Sequence, residues 1–139
     1  MKKSIVILFA VITGFAAFAQ NKSTAKPKLE IYYFHATNRC PTCISIEDNT
    51  KKVLDTYFKK EVEAGNIKLH VLSCDDEKNK ALIDKYGAYG STLVLQSNIG
   101  KSAKDDITNF AFQYSKNNPD KFKSGLKEKI EKMIKWCAD

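Results

Sequence analysis

The sequence of 139 residues has only six glycines and four cysteines, and each count excludes a class of protein. Its six glycines form no Gly-rich dinucleotide fingerprint, so we find no flavin site and expect no cofactor. Four cysteines are too few for a small fold held together by disulfides. The sequence also has no internal repeat and no low-complexity tract. We therefore expect an ordinary apolar core.

The N-terminal stretch predicts export. Two lysines precede an apolar run over residues 5–18, and Ala17-Phe18-Ala19 has the small residues of a cleavage site. An uncleaved membrane anchor is the alternative, but the run is shorter than the roughly 20 apolar residues of a comfortable span. We therefore predict a signal peptide over residues 1–19, a periplasmic or secreted protein, and no membrane span after cleavage.

The rest of the chain predicts one domain. Removal of residues 1–19 from the 139 leaves 120, which is enough for one compact domain and too few for two. Residues 20–28 are polar, lack periodicity and contain Pro27, so we predict a flexible leader there. The folded domain is predicted over residues 29–139.

Positive charge comes almost wholly from lysine, because Arg39 is the only arginine. Loss of Lys2 and Lys3 with the signal lowers the formal charge from +7 to +5. The lysines are scattered along helix faces, and an exported protein meets little nucleic acid. We therefore expect a solvated surface and no nucleic-acid partner. A weak preference for acidic partners or an anionic membrane stays open.

Hydrophobic patterns predict an α/β chain with four strands. Residues 29–34 have apolar side chains on both faces, which is typical of a buried central strand. Residues 67–74 alternate, which indicates a half-exposed strand near an edge. A third strand is predicted over 92–96, and a turn leads to a short edge strand near 101–104.

Helices are predicted between and after these strands. Asp75 or Asp76 can cap a short helix that ends at Gly87, and Asn118-Pro119 is a start signal for the last helix. The first and longest helix has an apolar stripe, expected to face the core, of Ile46, Val53, Leu54, Tyr57, Phe58 and Val62. The apolar face of the last helix consists of Phe122, Leu126, Ile130, Met133, Ile134 and Cys137.

Cys40-Pro41-Thr42-Cys43 lies where the first strand gives way to the first helix. A helix N-terminus exposes unpaired backbone N–H groups and the positive end of the helix dipole, so it favours a thiolate at Cys40. Two intervening residues let one sulfur reach the other. Cys40 and Cys43 are thus the candidate catalytic residues of a redox site, although a structural disulfide or buried inert thiols could have the same spacing.

The segments FHATNRCPTC and YGAYGSTLVL, in this order of elements, resemble the thioredoxin superfamily over about residues 29–137. The resemblance implies a three-layer fold, with a central mixed sheet of about four strands and helices on both faces. It also implies that Cys40 attacks a client disulfide and that Cys43 resolves the mixed disulfide, whereas the reverse sequence oxidises or isomerises a client.

The function expected from this resemblance is that of an exported thiol–disulfide oxidoreductase. Its partners would be protein thiol or disulfide clients and a redox partner protein, and we expect a monomer. The direction of exchange depends on the reduction potential, which Pro41-Thr42 influences but does not fix.

Three positions depart from the family pattern. Arg39 stands where an aromatic residue is common, and a cation there either adds to the dipole or points into solvent. Phe34 replaces a buried acid, for which Glu47 could substitute unless it is a helix-surface glutamate. Residues 90–92, Gly-Ser-Thr, replace a segment with a cis-proline. A cis bond before a non-proline residue costs about 2.5–4 kcal/mol, so we expect trans bonds there.

A soft-metal or metalloid carrier is the alternative function, because paired thiolates suit ions such as copper or arsenite. In the family the missing proline helps to keep metals off the two sulfurs. His35 is then a candidate third ligand, or else a packed residue at the strand end. A non-enzymatic partner-binding domain is a third class, which would need both cysteines to be inert.

Two cysteines lie outside the motif. Cys74 and Cys137 are expected to be buried small apolar residues, and a disulfide between them would need a distance that the sequence does not give. His70 is interpreted as a surface residue of the second strand.

Overall fold

The computed structural model describes residues 26–136, with only the backbone of Trp136. The predicted signal peptide, most of the predicted leader and Cys137 lie outside these residues. The strands are β1 (Leu29–His35), β2 (Ile67–Ser73), β3 (Thr92–Ser97) and β4 (Lys104–Asp106). The helices are α1 (Pro41–Tyr57), α2 (Lys59–Glu63), α3 (Lys80–Tyr86), α4 (Thr108–Tyr114) and α5 (Pro119–Trp136), and a 3-10 turn covers Glu77–Asn79.

The four strands form one mixed sheet in the order β2-β1-β3-β4. β1 is parallel to β2, with Phe34 opposite Leu72, and antiparallel to β3, with Phe34 opposite Thr92. β3 and β4 form an antiparallel hairpin. The predicted central position of β1 and edge position of β2 are confirmed. With helices on both faces, the fold is the predicted three-layer, thioredoxin-like α/β arrangement.

One face of the sheet carries the larger core, and α1, α4 and α5 pack on it. Alternate β1 residues Leu29, Ile31 and Tyr33 point to this face, because successive side chains of a strand alternate. They meet the buried residues Ile46, Val53 and Leu54 of α1, Ala111 of α4, and Phe122, Leu126, Ile130 and Met133 of α5. The predicted apolar face of the last helix is therefore confirmed for its described members.

The opposite face carries a smaller core, to which α3 is the only contributing helix among residues 26–136. Tyr32, Phe34 and Val94 of the sheet pack there against Ile83 and Tyr86 of α3, together with Ala88. Gly87 ends α3 in the left-handed conformation with φ 66°, as its predicted role requires. Since α3 has only seven residues, it covers part of this face.

Two predicted elements differ in detail. The first helix breaks at Phe58, which leaves helical geometry (φ −127°, ψ 17°) while its ring stays buried. The predicted stripe is therefore wrong at Tyr57 and Val62, which are 51% and 39% exposed. The edge strand begins at Lys104 rather than near Lys101, because Ser97 N–H donates to the Ala103 carbonyl and closes the turn later.

No helix within residues 26–136 is long and apolar enough to cross a membrane.

Candidate active site

The first turn of α1 holds both sulfurs of the CPTC motif. Cys40 is the N-cap, with extended backbone (φ −74°, ψ 159°), and Pro41 follows in the first turn, where its missing N–H costs no hydrogen bond. The Cys43 N–H donates to Cys40 Sγ at 3.2 Å, so the sulfur takes the place of a capping oxygen. This is the contact that would stabilise a thiolate at Cys40 in the reduced protein.

Cys40 and Cys43 are joined by a disulfide, with their Cα atoms 5.1 Å apart. Cys40 is exposed, whereas Cys43 is only 7% exposed. A partner can therefore approach the first sulfur but not the second. This asymmetry suits a site in which Cys40 exchanges with an outside sulfur and Cys43 acts only within the chain.

Tyr33 of β1 ties the inner cysteine to the sheet. Its hydroxyl donates a buried hydrogen bond of 2.7 Å to the Cys43 carbonyl. The Tyr33 side chain is itself completely buried in the larger core. The position of Cys43 is thus set by the centre of the sheet, and hydrophobic periodicity gave no sign of this polar contact.

Arg39 does not point into solvent, which excludes one of the two interpretations of this cation. Its guanidinium lies over the Tyr33 ring, 5.6 Å from the ring centroid, and pairs with Glu47 of α1. The Arg39 side chain is 24% exposed. Burial lowers its pKa, but hydrogen bonds with Tyr33 and Glu47 and the charge of Glu47 give a net rise.

Glu47 is not a solvated helix-surface residue, since its side chain is 12% exposed and paired with both Arg39 and Lys51. Burial alone would raise its pKa, but the hydrogen bonds and charges of Lys51 and Arg39 hold the pKa below its ordinary value of 4.5. Both cations thus keep Glu47 ionised. A role for Glu47 in deprotonating Cys43 stays a prediction.

The loop that follows α3 contributes Ala88 to the smaller core. It ends where β3 begins at Thr92, opposite Phe34 near the end of β1, so it enters the sheet at the edge from which the motif leaves it. Within residues 26–136 no peptide bond is cis, so the trans geometry expected for residues 90–92 is confirmed.

Cys74 anchors this loop, a role that sequence reasoning missed. Its thiol lies 3.2 Å from the Ala88 carbonyl and 3.5 Å from the Gly90 carbonyl, and its N–H donates to the His35 carbonyl at 2.8 Å. Burial, aided by the charge of Asp75, raises its pKa. The available signal was its position at the end of a strand parallel to β1. A disulfide with Cys137 stays a prediction, because Cys137 lies outside the described residues.

Asp75 anchors the turn before Cys40. Its Oδ2 accepts hydrogen bonds from the Thr37 N–H and hydroxyl, both at 2.6 Å. These hydrogen bonds lower the Asp75 pKa. The sequence gave Asp75 and Asp76 as alternative helix caps. The structure uses Asp76 for the 3-10 turn and Asp75 for the turn at the motif.

The two histidines are packed residues of the sheet. His35 Nδ1 lies 3.0 Å from the Ala36 carbonyl, and residues 26–136 contain no cluster of three His, Cys, Asp or Glu side chains that could hold a metal. The function of a soft-metal carrier therefore stays a prediction. Within residues 26–136, no third metal-binding side chain lies beside Cys40 and Cys43. His70 was expected at the surface. Instead it stacks on Tyr32 with ring centroids 4.6 Å apart, and its Nε2 lies 3.1 Å from Glu30.

Comparisons with known proteins identify no family. No protein-family model and no curated protein matches the sequence. A solved structure described as the structure of a malarial protein is 22% identical, and the match covers 62% of this chain and 93% of that one with a TM-score of 0.41. So weak a likeness carries no argument about fold or function.

Proposed function

We propose that this protein is an exported thiol–disulfide oxidoreductase of the thioredoxin superfamily, with Cys40 and Cys43 as its catalytic residues. One observation carries the proposal: the two cysteines are disulfide-bonded at the start of α1, with the outer one exposed and the inner one buried. A purely structural disulfide needs neither an exposed sulfur nor a helix N-terminus that favours its thiolate.

The proposed exchange transfers two electrons and two protons. In the reducing direction, the Cys40 thiolate attacks one sulfur of a client disulfide, which forms a mixed disulfide and releases the other client sulfur as a thiolate. Cys43 then loses its proton and attacks Cys40 Sγ, which releases the second client thiolate and leaves the Cys40–Cys43 disulfide. In the oxidising direction, a client dithiol runs the same steps backwards.

A pair of serine variants tests this order of events. With insulin disulfides as substrate and dithiothreitol as reductant, the wild type should turn over, and Cys40→Ser and Cys43→Ser should both fall to the uncatalysed rate. In a separate incubation of the pre-reduced proteins with insulin and no dithiothreitol, only Cys43→Ser should accumulate a mixed disulfide with the client, because it keeps the attacking sulfur but loses the resolving one. Equal turnover by wild type and Cys40→Ser would refute the enzymatic proposal.

Export is the second part of the proposal and has its own test. It is supported by the signal-like pattern of residues 1–19. Expression of the full chain in a Gram-negative host should give a periplasmic protein whose mature N-terminus is Gln20, as read by intact mass. A full-length mass in the membrane fraction would instead show a retained anchor.

A further inference from the structure

The residue before the first cysteine bridges the two elements that carry the motif. Arg39 lies over the ring of Tyr33 in β1 and forms an ion pair with Glu47, two turns into α1. Tyr33 in turn donates its hydroxyl hydrogen bond to the Cys43 carbonyl. The residue before Cys40 and the carbonyl group of Cys43 therefore both contact the same buried tyrosine.

We propose that Arg39, held by Glu47 against Tyr33, is a positioning residue that keeps Cys40 and Cys43 within bonding reach of each other. The proposal rests on the redox function proposed above. It assigns to Arg39 a geometric role rather than the direct stabilisation of the Cys40 thiolate by charge.

The charge of Arg39 is partly offset locally. Glu47 contacts Arg39 on one side and Lys51 on the other, and its carboxylate stays ionised because its pKa is lowered. Since two cations share this one carboxylate, it offsets only part of the field that the guanidinium exerts on a neighbouring thiolate. What remains specific to arginine is its planar group, which can stack on an aromatic ring and pair with a carboxylate at the same time.

The two roles predict opposite changes in the redox equilibrium. Charge stabilisation favours the reduced form, because only that form has a thiolate, so loss of the cation would make the disulfide harder to reduce. Positioning favours the oxidised form, because two sulfurs held close have a high effective concentration for each other. Loss of positioning would therefore make the disulfide easier to reduce.

The test measures the equilibrium in which the protein disulfide and two glutathione thiols give the protein dithiol and glutathione disulfide. In Arg39→Gln and Arg39→Lys alike, we expect a shift of about threefold to tenfold toward the dithiol, or about 15–30 mV. Lysine should not rescue, because it keeps the charge but not the planar group. Glu47→Gln should shift in the same direction, because it frees the guanidinium from α1.

Lys51→Gln is the matched control. Lys51 pairs with the same carboxylate but is 51% exposed, and within residues 26–136 it makes no hydrogen bond, ion pair or cation–π contact with Tyr33. The redox equilibrium of Lys51→Gln should therefore stay within about twofold of that of the wild type. The proposal is overturned if Arg39→Lys matches wild type while Arg39→Gln becomes harder to reduce, or if no variant moves. Circular dichroism checks folding, and Glu47→Gln serves if an Arg39 variant does not fold.

This equilibrium needs no client, so its outcome is separate from that of the proposed function. A wild type that equilibrates with glutathione but never reduces insulin would refute the enzymatic proposal. The redox equilibrium constants of the variants could still be compared with that of the wild type. Normal insulin turnover with unshifted Arg39 variants would refute the positioning role alone.

Discussion

The two faces of the sheet carry cores of different size and composition beside the candidate site. On one face, α1, α4 and α5 bury a continuous apolar core, and α1 begins at the cysteine pair. On the other, seven-residue α3 covers a smaller aromatic core, and polar contacts among Glu30, His70 and Asn98 occupy the sheet beyond it. The loop after α3, held partly by Cys74, belongs to this second side.

This difference indicates how the site divides its tasks. The cysteine pair lies at the start of α1, which packs in the larger core, and this packing fixes the geometry of the sulfurs. The facing loop is built where fewer apolar contacts are buried, and such regions open at lower free energy than a main core. The proposed function would need the two sulfurs to be held still while varied client chains bind beside them, which one firm side and one more adaptable side would allow.

The largest expected effect is a difference between the two cores in the free energy of unfolding that is lost when a buried side chain is truncated. Leu126→Ala, at a fully buried position of the larger core, should lower the free energy of unfolding by about 4 kcal/mol, and Ile83→Ala in the smaller core by about 2 kcal/mol. The difference is expected because Ile83 is 7% exposed and its surroundings can collapse more easily. Urea unfolding of the oxidised protein measures both values. Equal losses would show that the two cores are equally tight.

An intermediate effect compares two neighbouring tyrosines of β1 that point to opposite faces. Tyr33→Phe removes the buried hydrogen bond to the Cys43 carbonyl and should cost about 1–2 kcal/mol of unfolding free energy. It should also move the glutathione equilibrium by about threefold toward the dithiol, because Cys43 is held less firmly.

Tyr32→Phe is the control for that variant. The Tyr32 ring packs against His70 and Tyr86 on the smaller core, and Tyr32→Phe keeps this packing, so its substitution should cost about 1 kcal/mol or less. Its redox equilibrium should equal that of the wild type. A redox shift in both variants would mean that general loosening of β1, rather than the bond to Cys43, governs the pair.

The elements were predictable from sequence because each depends on local pattern. Strand 29–34 has apolar residues on both faces, Gly87 permits the left-handed end of α3, and Asn118-Pro119 starts α5. The cysteine pair was predictable for the same reason, since its spacing and its place before an amphipathic run are local. The break at Phe58 was not, because it follows from how the ring packs in the larger core.

The contacts around the cysteine pair could not be predicted from the sequence, because they join residues that lie far apart in the chain. Cys74 contacts Ala88 and Gly90, and Asp75 binds Thr37 across 38 positions. Such contacts depend on how two loops meet at the same edge of the sheet. The spacing of apolar residues predicts helices and strands but not the course of the loops between them. For Arg39 the sequence gave two interpretations, and its contacts with Tyr33 and Glu47 in the structure exclude the solvent-facing one.

The smallest expected effect compares one carboxylate on each face, Glu47 and Glu30. Both have folded pKa values below the ordinary 4.5: burial raises each, but Lys51 and Arg39 outweigh it at Glu47, and Asn98, Tyr32 and His70 outweigh it at Glu30. A depressed carboxylate pKa contributes stability that is complete above about pH 4.5 and is lost as the pH falls through the folded value. Glu47→Gln and Glu30→Gln should each flatten the acid side of the stability profile by about 1 kcal/mol or less.

The contributions of the two carboxylates to stability should respond differently to salt. The partners of Glu47 are full cations, so 1 M salt should screen most of its contribution, whereas the neutral hydrogen bond that Asn98 donates to Glu30 should persist. Urea unfolding from pH 2.5 to 6 at low and high salt measures this, with Glu128→Gln on the exposed side of α5 as control. An equal salt response at both sites would show that Glu30, like Glu47, is held mainly by charge rather than by its hydrogen bond from Asn98.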